Sequence, residues 1–262
     1  MERPAFSRLP VTVNLPLLLQ ALAAVGDERW QGHFNSAYYS GDWSGVALIS
    51  AADALTELSP GHARPLHRAP WSEDERWHQA LREWPLEIVS ARLLRLGPGG
   101  RIHEHRDYDL GGPDADLRLH VPLLSSPEVD FWLDGQLVPM SAGECWFLDL
   151  SRPHRVANRS LEASRIHLVL DCRPGPWLEQ QIAEGLATTP AAGVGQSDLA
   201  RFQQRVEADP RLARTLQQLH DVDVFMEQAI ALGAESGLHF THEQLRSAMR
   251  HGRRQWSNQW KA

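Results

Sequence analysis

Along the middle of the chain, hydrophobic and polar positions alternate residue by residue. In Leu117–Leu123, the residues Leu117, Leu119, Val121 and Leu123 share one side of an extended segment, and Arg118 and His120 take the other. Between Ser164 and Asp171 the split is Ile166, Leu168 and Leu170 against Arg165, His167 and Val169. Both patterns predict strands with one apolar face. Further strands are predicted at Val11–Asn14, Val46–Ile49, Leu86–Leu96 and Glu144–Leu150, the third of them closed by the turn Gly97-Pro98-Gly99-Gly100. Val129–Leu133 and Gln136–Met140 flank Asp134-Gly135, a pair that favours a tight hairpin turn. Many short strands joined by tight turns predict a jelly-roll or barrel, a mainly β domain with helices around it.

Helical periodicity takes over at both ends. Leu18, Ala21, Leu22 and Val25 recur on one face of a helix over Leu15–Val25. Residues 51–71 read as a loop; Ser72 with Glu75 then forms a capping box, and Pro85 stops that helix. Pro174 to Gly195 is rich in Pro, Gly and Ala and marks a boundary. Beyond it Ser197 precedes one helix, Asp209-Pro210 starts a second, Asp221–Leu232 forms a third ended by Gly237, and Thr241 with Gln244 caps a fourth. The expected organisation is therefore a β domain over 1–175, with N-terminal helices at its flank, and a small all-α domain over 196–255.

Composition narrows the class. A chain of 262 residues with 42% hydrophobic and 23% charged residues is globular rather than disordered. A net charge of −7, from 26 basic and 33 acidic residues, argues against a nucleic-acid partner. Two cysteines, Cys145 and Cys172, give no disulfide framework and suit a reducing, cytoplasmic compartment. Leu15–Val25 follows Arg3 and Arg8 as a secretion signal would, but Pro16 and Gln20 interrupt it and it is too short to span a bilayer. We read it as a docking helix, with no membrane partner.

The chemistry gathers in the β domain. His105 and Asp107 stand two apart, so in an extended segment both side chains reach the same ion. His154 arrives from a separate strand, and Arg165 lies on the strand after it. Two histidines and one carboxylate form the facial triad of non-haem Fe(II) oxygenases, which leaves positions open for a cosubstrate and O₂. The arginine fork matches a carboxylate bidentately. Arg165 is therefore assigned to the distal carboxylate of 2-oxoglutarate. Arg118 and His120 would be packing errors on the face of a dry core, and are assigned to its proximal carboxylate or to a substrate carboxylate. A short His-x-Asp on its own serves equally as a hydrogen-bonded pair at a strand edge; the order His-x-Asp, His, then Arg carries the metal assignment. A second pattern, His103-x-His105 with Asp109 and His154 to Asn158, is similar to a cupin metal site and leaves Asp107 unliganded. Tyr38, Tyr39 and Trp43, between Gly41 and Gly45 or just before them, fit either a pocket wall or plain packing.

Longer motifs carry a family resemblance. Leu96-x-Pro98-Gly99, His105-Arg106-Asp107, Arg118-Leu119-His120, Gly143-Glu144, Phe147-Leu148-Asp149, Pro153-His154 and the run Arg165–Asp171 resemble the aspartyl/asparaginyl β-hydroxylase family, which includes bacterial free-proline hydroxylases. The resemblance covers roughly residues 30 to 172 and implies a double-stranded β-helix (jelly-roll, cupin-like), Fe(II), 2-oxoglutarate and O₂. It implies a substrate that is an amino acid, free or in a peptide, with the β-carbon of Asp or Asn the first candidate and proline the second. Asp107 stands where the vertebrate aspartyl enzyme lacks a metal carboxylate and the proline hydroxylases have one. The C-terminal segment, through Leu199-x-x-Phe202, Asp209-Pro210-x-Leu212 and Glu235-x-Gly237-x-x-Phe240-Thr241, is similar to the Nif11-type leader domain. A non-catalytic peptide-binding adaptor and a cupin-type metal protein are the readings from outside the hydroxylase class, and a homodimer is compatible with all of them.

Overall fold

The alternating segments form two antiparallel sheets in a computed structural model, which describes residues 3–186, apart from 60, 62 and 113, and most of 199–249. In chain order the strands are β1 (Phe6–Arg8), β2 (Gln31–Gly32), β3 (Tyr39–Ser40), β4 (Trp43–Ala51), β5 (Pro65–His67), β6 (Ile88–Leu96) and β7 (Arg101–His105). They continue with β8 (Leu117–Leu124), β9 (Val129–Leu133), β10 (Gln136–Leu137), β11 (Trp146–Leu148), β12 (His154–Asn158) and β13 (Arg165–Cys172). The larger sheet runs β1-β11-β8-β13-β6-β4-β2 with β5 added to β4; the smaller runs β10-β9-β12-β7-β3. This is the jelly-roll architecture, mainly β with flanking helices.

The alternation fixes which face does what. Leu117, Leu119, Val121, Leu168 and Leu170 point outward from the larger sheet into a core shared with α1 (Leu15–Ala23), α3 (Arg76–Leu81) and α4 (Pro176–Ala183). There they meet Leu18, Ala21, Trp77, Ala80, Leu178 and Ile182. The opposite face packs Trp43, Leu96, Trp146 and Leu148 against Ile102, Phe131, Leu133 and Val156 of the smaller sheet. Every residue of β4 is buried, as expected of a strand covered on both sides.

Local chemistry moved two expected elements. Val11–Asn14 is not a strand: the edge strand is β1, which pairs with β11, and Asn14 instead caps α1 by accepting from the Leu17 amide at 3.2 Å. Ser72 does not begin a helix either. It lies inside α2 (Ala69–Glu73), which starts earlier with Pro70 in its first turn and Trp71 buried. The chain breaks at Asp74, whose carboxylate takes the Arg76 guanidinium at 2.6–3.1 Å, and α3 follows.

The chain divides into two units, Met1–Thr189 and Pro190–Ala262. The second contains α5 (Pro210–Gln217) and α6 (Val222–Glu235), capped by the carboxylates of Asp209 and Asp221. Gly237, at φ 70°, follows α6 and closes it as a left-handed residue does. Phe202, Leu216, Met226, Ala229, Leu238 and Phe240 form its own core. Ser197 and Gln244, assigned to the start of one helix and the capping box of another, lie outside the described residues. Among the described residues no helix is long and apolar enough to cross a membrane.

Candidate active site

β7 and β12 are neighbours, and their register sets His105 opposite His154, with ring centroids 4.2 Å apart. The register shifts between His154 and Val156, a bulge of the kind that re-aims a side chain beside a site. After β7 the Asp107 amide donates to the Leu150 carbonyl at 2.9 Å, and a 3-10 turn follows at Tyr108–Leu110. Asp107 therefore stays on the His105 side, with Oδ1 3.6 Å from His105 Nε2. One ligand atom from each of His105, Asp107 and His154 lies within 4.8 Å of the other two.

Hydrogen bonds set the tautomers. His105 Nδ1 is 2.8 Å from the His103 carbonyl, and His154 Nδ1 is 3.0 Å from the Arg152 carbonyl. A carbonyl can only accept, so both protons sit on Nδ1 and both Nε2 lone pairs are free for an ion. Burial pushes His154 down to about 4, so it is neutral and able to ligate at pH 7. Burial would raise Asp107, but Arg118, helped by His154 and His105, outweighs it and holds the carboxyl below its ordinary range. This two-nitrogen, one-oxygen set fits a ferrous ion with open positions.

Arg118 is largely committed to protein carboxylates. Its Nη1 donates to Asp107, while Nε and Nη2 reach Asp171 at 2.6 and 3.0 Å. Arg92 Nη2 donates to the same Asp171 at 2.5 Å. The buried Arg92 and Asp171 and the half-buried Arg118 and Asp107 thus make two guanidiniums facing two carboxylates, and their charges cancel. Arg165 differs. It is 2% exposed, its Nη2 donates to His167 Nδ1 at 2.8 Å, and it has no acidic partner among the described residues. Burial lowers its pKa to about 9, which still leaves it a cation at neutral pH.

The triad, Arg92, Arg118, His120 and Arg165 line one cavity of about 440 Å³. Its walls are completed by Tyr38, Trp43, Tyr108 and Phe131. Tyr39 packs edge-on against Trp43, at 5.4 Å and 84°. The cupin-like alternative is disfavoured by geometry: His103 is exposed, and the Asn158 amide donates to the carbonyls of Leu96, Gly97 and Ala163 at 2.8–3.1 Å. Sequence reasoning missed Arg92, Asp171 and His33. The strand alternation of β6 places Arg92 opposite Ala91 and Leu93 and was the available signal. His33, stacked on Trp43 at 3.5 Å, sits in an irregular segment that offers none.

Residues 76–174 match the family model described as aspartyl/asparaginyl beta-hydroxylase. L-proline cis-4-hydroxylase of Rhizobium meliloti (strain 1021) is 28% identical over 145 residues, 53% of this chain and 51% of that protein. The chain thus spans about half the length of that relative. Among solved structures, an oxidoreductase of the 2OG-Fe(II) oxygenase family from Burkholderia pseudomallei has a TM-score of 0.44 at 15% identity, covering 64% of this chain and 85% of that one. A Pseudomonas putida prolyl-4-hydroxylase has a TM-score of 0.40 at 14% identity, covering 65% and 93%. Over residues 76–174 the chain is therefore similar to the aspartyl/asparaginyl β-hydroxylase family.

Proposed function

We propose that this protein is an Fe(II)- and 2-oxoglutarate-dependent hydroxylase of an amino acid, free or in a peptide, with proline the first candidate. The observation that carries the reading is one cavity holding both a His-Asp-His cluster and a buried arginine with no protein carboxylate. His105, Asp107 and His154 would hold the iron through two Nε2 atoms and a carboxylate oxygen. With O₂ and 2-oxoglutarate, iron in such a site inserts oxygen into a C–H bond while the oxo acid leaves as succinate and CO₂. Arg165 would take the distal carboxylate, whose charge compensates a buried guanidinium that otherwise has only a neutral partner. Arg118 holds Asp107 ionised and oriented for the ion. Its two uncommitted N–H groups, with His120, remain available to a ligand in the cavity.

Of the four arginines that line the cavity, three have their charge assigned. Arg92 and Arg118 are neutralised by Asp107 and Asp171, and Arg165 is assigned to the cosubstrate. The fourth, Arg106, donates to the Ser151 carbonyl at 3.3 Å and has no carboxylate among the described residues, so its charge is left for the carboxylate that any amino-acid substrate carries. The proline hydroxylase relative supports proline as the substrate. The Asp/Asn β-carbon, the first candidate from the sequence, becomes the second reading, through the family match.

The test is turnover. The protein is supplied with Fe(II), 2-oxoglutarate and air, together with L-proline, aspartate, asparagine or peptides containing them. Succinate and a product heavier by one oxygen are expected, with proline ahead of aspartate. Absence of succinate above the enzyme-free control across the panel contradicts the hydroxylase reading, and aspartate ahead of proline contradicts the substrate preference.

A further inference from the structure

Arg165 and His167 stand two apart on β13, and His120 comes from the neighbouring β8, opposite Val169. All three are buried. Pro122 lies in β8 opposite His167, and the register shifts there, between Ile166 and His167. Proline has no N–H for the ladder, so a bulge falls beside this cluster.

Proton positions in the cluster follow from elementary chemistry. Arginine has no acceptor. Because Arg165 Nη2 lies 2.8 Å from His167 Nδ1, that nitrogen presents a lone pair and the His167 proton sits on Nε2. His120 Nδ1 lies 3.2 Å from the same atom. Two facing lone pairs repel, so His120 carries its proton on Nδ1 and donates it to His167. Burial, reinforced by Arg165, keeps both rings neutral. His120 Nε2 is then a buried lone pair, without a partner among the described residues. Arg165 and His120 line the cavity; His167 is not among its lining residues.

We propose that His167 is a positioning residue: its Nδ1 lone pair orients the Arg165 guanidinium for a carboxylate and makes His120 a hydrogen-bond acceptor in the cavity lining. A carboxylate in place of His167 would neutralise Arg165 and compete with the ligand. A neutral acceptor orients the cation and leaves its charge for the ligand. The identity of that ligand, 2-oxoglutarate, rests on the hydroxylase reading above; the proton order does not.

Two measurements on the full chain test this. The first is calorimetric binding of 2-oxoglutarate with Mn(II) in place of iron, so that no turnover intervenes. His167→Leu should weaken 2-oxoglutarate by roughly 10- to 100-fold and leave Mn(II) affinity unchanged. His167→Asn, whose Oδ1 supplies an acceptor near the Nδ1 position, should restore most of the loss. Wild-type affinity in His167→Leu, or equal impairment in both variants, overturns the positioning role. The second measurement is the imidazole ¹⁵N spectrum of the metal-free wild-type protein. It should show His167 unprotonated and His120 protonated at Nδ1, and the reverse order overturns the proposal. Failure of the Mn(II)-loaded wild type to bind 2-oxoglutarate would remove that ligand from Arg165 along with the hydroxylase reading, and the spectrum would still decide the proton order.

Discussion

Asp171 ties two arginines together, taking Arg118 on both oxygens and Arg92 on one. Removing it strands the buried Arg92 guanidinium and takes from Arg118 one of its two carboxylates, whereas a pair left intact is close to neutral in stability. Asp171→Ala is therefore expected to cost about 3–5 kcal/mol in urea denaturation. A loss below about 1 kcal/mol, the range of a surface ion pair, would contradict this network. The same network explains what was legible at this scale. His105 and Asp107 are readable because their spacing alone puts them on one side of an extended segment. Arg118 is legible as an arginine in a polar strand face, but its carboxylate partners, 11 and 53 residues away, are not. Arg92 and Asp171 are 79 residues apart, and no local pattern announces such a pair.

Among the elements, the hairpin between β9 and β10 shows how directly a dipeptide can dictate structure. Asp134 and Gly135 take φ of 51° and 76°, the two positive values that a tight hairpin with native twist requires. Gly135→Val places a β-branched side chain in the left-handed region and should cost about 1–2 kcal/mol, read as a lower denaturation midpoint at unchanged slope. An unchanged midpoint would mean the turn relaxes to another type at no cost. Strands were legible wherever one face is apolar and the other polar, as in β8 and β13. Helix starts were legible only where nothing competed. Ser72 carries a valid capping signature, but Pro70 and the buried Trp71 begin the helix sooner. Val11–Asn14 has strand-like composition, but Asn14 is worth more as a cap and the sheet edge is already filled by β1.

Taken whole, the β unit buries several histidines in their neutral form, and this couples its stability to pH. Burial lowers His33 from 6.5 to about 3, and moves His120 and His167 well below 6.5. Between these values and 6.5 the unfolded chain binds protons that the folded chain refuses, so stability rises with pH through that window. It is fully present above 6.5 and is lost progressively as the pH falls. The metal-free protein should accordingly melt at lower temperature at pH 5 than at pH 7.5, and a higher Tm at pH 5 would contradict the burial of these rings as neutral groups. All six side chains assigned from sequence to metal and carboxylates fall within residues 76–174, the family-matched segment. His33, Tyr38 and Trp43, which complete the cavity wall, come from the chain before it. The central claim is that His105, Asp107 and His154 share one ferrous ion, and anaerobic equilibrium binding of Fe(II) tests it most directly. The wild type should bind one ion per chain, while Asp107→Ala and His154→Ala lose at least ~100-fold in affinity with their folds intact. Unchanged stoichiometry and affinity in either variant would contradict the account.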